Sequence, residues 1–314
     1  MEDLILGIDI GGTKTAVVAG SRQGHIKWKK KFPTLPERGF DTFFNELITA
    51  IEEGLNDGFG RTVALSVSVG GPLDVFLGIL YSPPNLKGWQ DIHLKELLSK
   101  RFSLPTYVEH DGNAGALAEL YLGAGRGFQN IVFLTMGTGF GAGIIANGEL
   151  YRGTSFTAGE IGHVRIAEDG PLCYGKRGSL EGFASGTGIA LLAEMMFPGK
   201  WGSAVSLASL YEDWRAGSNE AREVFDRAAF YIGRGFAMIA DILNPERIIL
   251  GGLGIRIADA FLDKACEVMA SEALPESVRV CEIVPAKLGE RIGDVASLCA
   301  AFDQGNLFLE TVNE

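Results

Sequence analysis

Two glycine-rich turns carry the first residues that could do chemistry. One follows the apolar run in LILGIDIGGTKT, and the other follows the apolar run in IVFLTMGTGFGA. The residues at these turns are Gly11, Gly12, Thr13, Lys14, Gly137, Thr138 and Gly139. Glycine lets the backbone approach a ligand closely, and backbone amides beside a threonine hydroxyl can surround phosphate oxygens. The two turns therefore indicate phosphate binding, as in a nucleotide site.

Neither turn matches the two most common phosphate-binding motifs. A Walker A loop needs Gly-Lys-Ser/Thr in sequence, and Thr13 separates Gly12 from Lys14. The segment GTGFGA satisfies the dinucleotide-binding pattern, but that pattern must open a helix. Here Asn147-Gly148 predicts a hairpin turn shortly afterwards. A hydride-transfer enzyme is therefore disfavoured.

Asp9 is an acidic residue in an otherwise apolar run that ends at the first turn. Its carboxylate could simply accept hydrogen bonds from its own turn. It could also bind Mg²⁺, directly or through water, since carboxylates and phosphates are ligands that Mg²⁺ prefers. Because the phosphate turn follows it at once, we predict that Asp9 is a magnesium partner.

The same order of elements positions both turns. Each begins with a strand, a Gly-Thr turn and a returning strand, and each continues into a further strand. Thr13 lies 11 residues before Gly24, and Thr138 lies 10 residues before Gly148, so the two stretches look like copies of one supersecondary unit. We expect an α/β protein with two mixed-sheet halves around a central cleft, each half offering one turn.

The chain is long enough for two domains. We predict a smaller N-terminal α/β domain at residues 1–115, joined by the C-terminal helix at about 296–314, and a larger α/β domain at 116–295. The final helix should begin near Asp294, a residue type favoured at helix N-caps. No Pro- or Ser-rich linker is present, so helices should join the domains.

Composition excludes several classes of partner. A net charge of −11 disfavours general nucleic-acid binding, which needs a basic surface, but it leaves room for a local nucleotide site. The sequence has no apolar run of membrane-spanning length and no basic stretch typical of a signal peptide. We therefore expect a cytoplasmic protein with no membrane or nucleic-acid partner. Four scattered cysteines predict reduced thiols.

Seven segments follow one another in order along almost the whole chain. They are DIGGTKT at 9–15, GGPLD at 70–74, PNLKGW at 84–89, EHDGNAGALAE at 109–119, GTGFGAGIIANGELYRG at 137–153, AGEIGH at 158–163 and GGLG at 251–254. Together they resemble the ROK family of sugar kinases, within the actin-like, ribonuclease H-like ATPase superfamily. The resemblance implies a two-domain actin-like fold, ATP and Mg²⁺ as cofactors, a small-molecule sugar as substrate, and a homodimer. Repressors of the family carry a DNA-binding region before the first phosphate motif, and here that motif begins at residue 9, so we expect the kinase branch.

The resemblance also assigns roles to residues. Asp111 matches the catalytic base, which takes the proton of the sugar hydroxyl as that hydroxyl attacks the γ-phosphoryl group; its structural alternative is a helix N-cap. Gly251 and Gly252 resemble the turn on the adenosine side. The residues that resemble sugar contacts are Gly71, Asn85, His110, Asp111, Glu160, His163 and Glu181. His110 stands where the family usually has Asn, which leaves the identity of the sugar open.

The segment LCYGKRGSLE departs from the family pattern. Many members read Cys-x-Cys-Gly-x-x-Gly-Cys-x-Glu here, and three thiolates with a histidine hold a structural zinc. The three cysteine positions fall on Leu172, Tyr174 and Ser179, while Cys173 occupies the position between the first two. One displaced cysteine and His163 cannot complete a tetrahedral site, so no zinc is expected. Tyr174 or Ser179 should hold His163 in place of the metal.

The sequence therefore predicts an ATP-dependent hexose kinase that phosphorylates the 6-hydroxyl of glucose. An amino-sugar kinase acting on N-acetylmannosamine or N-acetylglucosamine is the nearest alternative, because the same Glu, His and Glu residues would serve it. A non-catalytic sugar or nucleotide sensor is a third interpretation, disfavoured by the presence of both Asp9 and Asp111.

Overall fold

The computed structural model describes residues 2–56, 58–202 and 205–309. Internal contacts divide the chain into two compact units. Unit one contains the residues up to Leu122, the segment Arg152–Thr157 and the residues from Glu290 onwards. Unit two contains Gly123–Tyr151 and Ala158–Gly289.

The strands of the described residues, in chain order, are β1 (Asp3–Ile10), β2 (Lys14–Ser21), β3 (Ile26–Pro33), β4 (Arg61–Val69), β5 (Leu73–Asp74), β6 (Ile79–Leu80), β7 (Ile92–His93), β8 (Thr106–His110), β9 (Ile131–Met136), β10 (Phe140–Ala146), β11 (Glu149–Leu150), β12 (Leu172–Cys173), β13 (Lys176–Arg177), β14 (Arg247–Gly252) and β15 (Glu282–Pro285). The α-helices are α1 (Phe40–Leu55), α2 (Leu94–Phe102), α3 (Asp111–Leu122), α4 (Leu180–Ala184), α5 (Gly186–Met196), α6 (Leu207–Arg215), α7 (Asn219–Leu243), α8 (Leu253–Arg256), α9 (Leu262–Glu272), α10 (Pro275–Val280) and α11 (Ile292–Asp303). Short 3₁₀ turns lie at Pro36–Arg38, Ile161–His163, Ala258–Ala260 and Gly289–Arg291.

Unit one is built on a five-stranded mixed sheet in the order β3-β2-β1-β4-β8. Strand β1 pairs antiparallel with β2 and parallel with β4, and β4 pairs parallel with β8. Successive side chains of a strand point to opposite faces. Leu6 accordingly joins the core cluster that contains Phe43 and Leu47 of α1, while Gly7 faces α11. Both faces of the sheet are thus covered, which explains its nearly continuous apolar strands.

Helix α11 packs unusually close to this sheet. A Cβ at Gly7 would overlap the Ser297 hydroxyl and lie 2.9 Å from a Leu298 methyl group. The helix begins at Ile292 with Arg291 at its N-cap, so the expectation of an N-cap at Asp294 is wrong, and Asp294 instead lies in the first turn. The helix ends at Asp303. The last five positions of the helix expected at 296–314 lie outside the described residues.

Unit two repeats the arrangement of unit one. Its main sheet has the order β11-β10-β9-β14-β15, with β9 antiparallel to β10 and parallel to β14. Strand β10 pairs antiparallel with β11, and β14 pairs parallel with β15. These orders and directions are the same as in unit one, so the predicted duplication of mixed-sheet halves is confirmed.

The long helix α7 contributes much of the second core. Its buried residues recur at helical spacing, as at Ala221, Val224, Phe225 and Ala228, and the Ser218 hydroxyl accepts a hydrogen bond from the Ala221 amide at its N-terminus. These side chains pack with apolar residues of β9, α4 and α5 in one cluster. Among the described residues, no helix combines the length and the apolar character needed to cross a membrane.

The boundaries of the units differ in detail from the expected division at residue 115. Helix α3 runs without interruption to Leu122 and packs against α11, which keeps all of it in unit one. The segment Arg152–Thr157 also joins unit one, since Arg152 bonds to Glu109 and Asp303.

Candidate active site

The first glycine turn connects β1 and β2 in unit one. The Gly11 amide donates to the Lys14 carbonyl at 3.1 Å, and the Thr34 hydroxyl donates to the Gly11 carbonyl at 2.6 Å. Gly12 lies against Asn85, because a Cβ there would be 2.7 Å from the Asn85 carbonyl oxygen. Thr13 and Lys14 are exposed. Unit one therefore brings the predicted phosphate turn next to a predicted sugar-binding residue.

Asp9 lies at the end of β1, half-buried beside this turn. Burial above all, followed by the negative charges of Asp111 and Asp294, raises the pKa of Asp9 to about 7, while Lys14 and Lys29 act in the opposite direction. A carboxylate crowded by two others is a fitting place for a cation.

Asp111 is the first residue of α3, which starts directly after β8. Its Oδ1 accepts a hydrogen bond from the adjacent Gly112 amide at 2.7 Å, and its side chain is 54% exposed. Within the described residues Oδ2 accepts no hydrogen bond. One oxygen is thus fixed, and the other is available to a substrate.

His110 lies between Asp111 and Gly71. Its Nδ1 is 3.3 Å from Asp111 Oδ1 and accepts from the Gly112 amide at 3.3 Å. A Cβ on Gly71 would lie 3.0 Å from the His110 ring carbon Cδ2, so the ring packs directly against the Gly-Gly-Pro turn. The predicted residues Gly71, His110 and Asp111 therefore form one local group.

A buried ion pair supports this group from behind. Glu109 is fully buried, and its Oε1 accepts from the His110 amide and from Asn113 Nδ2, both at 3.0 Å. Its Oε2 receives Arg152 Nε at 2.9 Å, and Arg152 also pairs with Asp303. The ends of β8 and α3 on either side of His110 and Asp111 are thereby tied to a single carboxylate.

In unit two, the second glycine turn lies beside a cavity. The cavity has a volume of about 730 Å³, within the range of small-molecule sites. Of the predicted nucleotide residues, Gly137, Thr138 and Gly252 line it. Gly251 pairs with Thr135 and Gly252 with Met136 in the sheet, so the GGLG segment ends next to the second turn.

Glu181 contacts the end of the second glycine turn. Its Oε2 accepts from the Phe140 amide at 3.0 Å, and a Cβ on Gly139 would lie 3.0 Å from the same oxygen. The segment with Glu160 and His163 runs along β10, where the Ala142 amide donates to the Gly159 carbonyl at 2.8 Å. His163 Nε2 is 3.8 Å from Glu160 Oε2. Unit two therefore brings Gly139, Glu160, His163 and Glu181 into one area.

The segment at 172–181 is a small hairpin. Strands β12 and β13 pair across the two-residue turn Tyr174-Gly175. Tyr174 stacks on His163 with ring centroids 3.5 Å apart and planes 19° apart, and its hydroxyl donates to Glu181 Oε2. Cys173 is buried and its thiol pKa is raised by burial and by Glu181, while Leu172 is exposed. Of the two residues expected to hold His163, Tyr174 contacts it through its ring.

Among the residues that the structure describes, no group of three or more His, Cys, Asp and Glu side chains is arranged to hold a metal ion alone. Mg²⁺ does not need such a group, since it usually keeps several waters and takes one or two carboxylates together with substrate phosphates. The oxygen donors and the negative charge around Asp9 fit that requirement.

Comparison with known proteins gives the family. The model of the ROK family matches residues 5–300. The chain belongs to the ROK family. Glucokinases of Halalkalibacterium halodurans and Thermotoga maritima are 31% and 33% identical to it, over 92% of this chain and 92% and 94% of theirs. A putative xylose repressor of a Caldicellulosiruptor species is 28% identical, over 92% of this chain and 75% of its own.

Solved ROK structures show the same fold. A ROK hexokinase from Thermus thermophilus has a TM-score of 0.85 and 28% identity, over 96% of this chain and 99% of that one. A ROK family glucokinase from Streptomyces griseus, solved in complex with glucose and AMPPNP, has a TM-score of 0.78 and 30% identity, with the same coverage. The expected fold class is confirmed. The matched ROK relatives include both sugar kinases and repressors.

Sequence reasoning missed several residues of these two areas. Thr187, Glu194 and Arg256 line the cavity in unit two. The signal for the first was present, because Gly186-Thr187-Gly188 repeats the Gly-Thr-Gly of the second turn, and the Gly186 amide donates to the Gly137 carbonyl at 2.8 Å. Asp294 was read only as a cap, yet its charge acts on Asp9.

Proposed function

We propose that this ROK protein is an ATP- and Mg²⁺-dependent hexose kinase that transfers the γ-phosphoryl group to the 6-hydroxyl of glucose. Support comes from glucokinases that are 31% and 33% identical over almost the whole chain. The observation that carries the proposal is the Asp111 carboxylate, which has one oxygen fixed by the Gly112 amide and one oxygen without a donor among the described residues. A sensor needs no such base, whereas phosphoryl transfer to a hydroxyl does.

Each group has a role in this proposal. Asp111 Oδ2 accepts the proton of the attacking hydroxyl, and Glu160, His163 and Glu181 orient the sugar through its other hydroxyls. His110, Asn85 and Gly71 complete the sugar contacts. Gly11 to Lys14 and Gly137 to Gly139 bind the phosphates, and Gly251 and Gly252 approach the adenosine. Asp9 would hold Mg²⁺, which when bound neutralises charge on the phosphates.

A coupled assay of ADP release with a panel of sugars tests the proposal. We expect the highest kcat/KM with glucose and low values with N-acetylmannosamine, N-acetylglucosamine and xylose. 6-Deoxyglucose should inhibit competitively without being phosphorylated, because it keeps the other hydroxyls and lacks the acceptor. A preference for an amino sugar would support the alternative kinase, and sugar binding without ADP release would indicate a sensor.

Assembly and location belong to the same proposal. The family resemblance implies a homodimer, the composition of the sequence indicates a cytoplasmic location, and sedimentation velocity at several protein concentrations would measure the assembly. A single species with the mass of one chain at all concentrations would contradict the dimer.

A further inference from the structure

The turn of the β12–β13 hairpin places a tyrosine where the backbone disfavours one. Leu172 pairs with Arg177 and Cys173 with Lys176, so the turn consists of Tyr174 and Gly175, with φ of 54° and 70°. Such two-residue turns need positive φ at both positions and favour Asn-Gly. The chain follows that preference at the β10–β11 hairpin, where Asn147 and Gly148 have φ of 53° and 80°. Tyr174 is therefore an exception within the same protein.

The contacts of Tyr174 account for that exception. Its ring covers one face of the His163 ring, and its hydroxyl donates to Glu181 Oε2. The same Glu181 oxygen accepts from the Phe140 amide. Burial, followed by the hydrogen bond to Glu181, raises the Tyr174 pKa well above its usual range, so the hydroxyl stays a donor at physiological pH. A single side chain thus touches two of the residues assigned to the sugar.

These contacts leave a defined set of atoms for a ligand. Both donors to Glu181 use Oε2, and Oε1 has no donor among the described residues. His163 is stacked on one face, yet its side chain remains 45% exposed. Residues that orient sugar hydroxyls need acceptors held in fixed directions. The arrangement provides one free carboxylate oxygen and one immobilised imidazole.

Ser179, the other residue expected to hold His163, does not contact it in the same way. Its hydroxyl is fully buried and has no hydrogen-bond partner among the described residues. Tyr174, in contrast, contacts both His163 and Glu181.

We infer that Tyr174 is a positioning residue for substrate, which fixes His163 and Glu181 at the expense of a disfavoured backbone conformation. The inference rests on the proposed function, since it assigns His163 and Glu181 to the sugar. If Tyr174 served only to form the hairpin, replacing it with Asn would stabilise the protein. If Tyr174 is a positioning residue, replacing it with Asn would weaken sugar binding.

The experiment compares Tyr174→Asn, Tyr174→Phe and the control Leu172→Ala, an exposed residue of the same hairpin. Tyr174→Asn should melt no lower than the parent protein, because Asn tolerates positive φ. Its KM for the sugar should rise about 10-fold or more, with the KM for ATP unchanged, because both the hydrogen bond to Glu181 and the stacking contact on His163 are lost. Tyr174→Phe keeps the ring and should raise the sugar KM less. Leu172→Ala should match the parent protein in both constants.

Histidine side-chain NMR gives a readout that does not depend on activity. The chain has 4 histidines, and His163→Gln assigns the relevant signals. The His163 ring signals should shift in Tyr174→Asn, stay near their parent positions in Tyr174→Phe, and not move in Leu172→Ala. A Tyr174→Asn protein with the parent sugar KM and unmoved His163 signals overturns the inference. If the parent protein phosphorylates no sugar, the proposed function fails, and the His163 signals still decide whether Tyr174 holds that ring.

Discussion

Replacing Arg152 with methionine should destabilise unit one strongly. Arg152 Nε donates to Glu109 Oε2 at 2.9 Å, and Nη2 lies 2.8 Å from the same oxygen and donates to Asp303. The Arg152 side chain is 15% exposed and that of Glu109 is 0% exposed. Methionine keeps much of the volume and removes the charge. The variant therefore leaves a buried carboxylate without its cation.

The size of the effect follows from what remains around Glu109. Breaking a buried ion pair by removing one partner costs about 3–5 kcal/mol. Three neutral donors stay in place, from the His110 amide, Asn113 and Gln304, the last at 3.4 Å. We therefore expect the free energy of unfolding to fall by about 3 kcal/mol, the lower end of this range. That loss corresponds to a fall in Tm of about 6–12 °C for a unit of this size.

Urea unfolding followed by circular dichroism measures the change, and two further variants test its cause. Arg61→Met removes an exposed pair with Asp3, where Arg61 is 68% exposed, and should cost about 0–1 kcal/mol. Combining Arg152→Met with Glu109→Gln removes both charges and should cost less than the sum of the two single variants. The reasoning is refuted if Arg152→Met is as mild as Arg61→Met, or if the double variant is simply additive.

Three further predictions concern the site. Asp111→Asn should keep the fold and the KM for sugar, while kcat, measured by ADP release, should fall about 10²–10⁴-fold. Residual activity above about a tenth of that of the parent protein would contradict the role of Asp111 as base. Thr138→Val should raise the KM for ATP in the same assay and leave the KM for sugar unchanged, and the reverse pattern would assign the second turn to the sugar. Elemental analysis of purified protein should find well under one zinc per chain. Chelation followed by added Mg²⁺ should restore full activity at an unchanged Tm. Stoichiometric zinc would show that the alignment of LCYGKRGSLE with the family pattern is shifted.

The sequence was sufficient to predict the duplicated fold because its signals are local. The Gly-Thr turns, the apolar strands around them and the Asn147-Gly148 hairpin lie within short stretches, and their repetition predicted two similar mixed-sheet halves. The structure also brings together residues that are far apart in the sequence, such as Gly71 with His110 and Gly139 with Glu181. The family resemblance singled out these residues, and no local pattern predicts their contacts.

Contacts between distant residues could not be predicted in this way. Glu109 and Arg152 are 43 positions apart, and no sequence pattern in either segment predicts their ion pair. Asp294 has the residue type of an N-cap, but the helix begins two residues earlier, and packing of α11 on β1 brings its charge towards Asp9. Residue type gave the chemistry of these side chains correctly, and only tertiary packing could give their partners.

The departures from the family pattern lie among the residues that contact the groups assigned to the sugar. His110 and the hairpin at 172–181 both contact residues assigned to the sugar, namely Asp111, His163 and Glu181. The residues assigned to the phosphates, including both glycine turns and Asp9, match the pattern. Phosphoryl transfer depends on placing the phosphates and a base, whereas sugar choice depends on the directions of hydroxyl acceptors. A chain that keeps the first set and alters the second should retain the reaction and differ from its relatives in how sharply it discriminates among sugars.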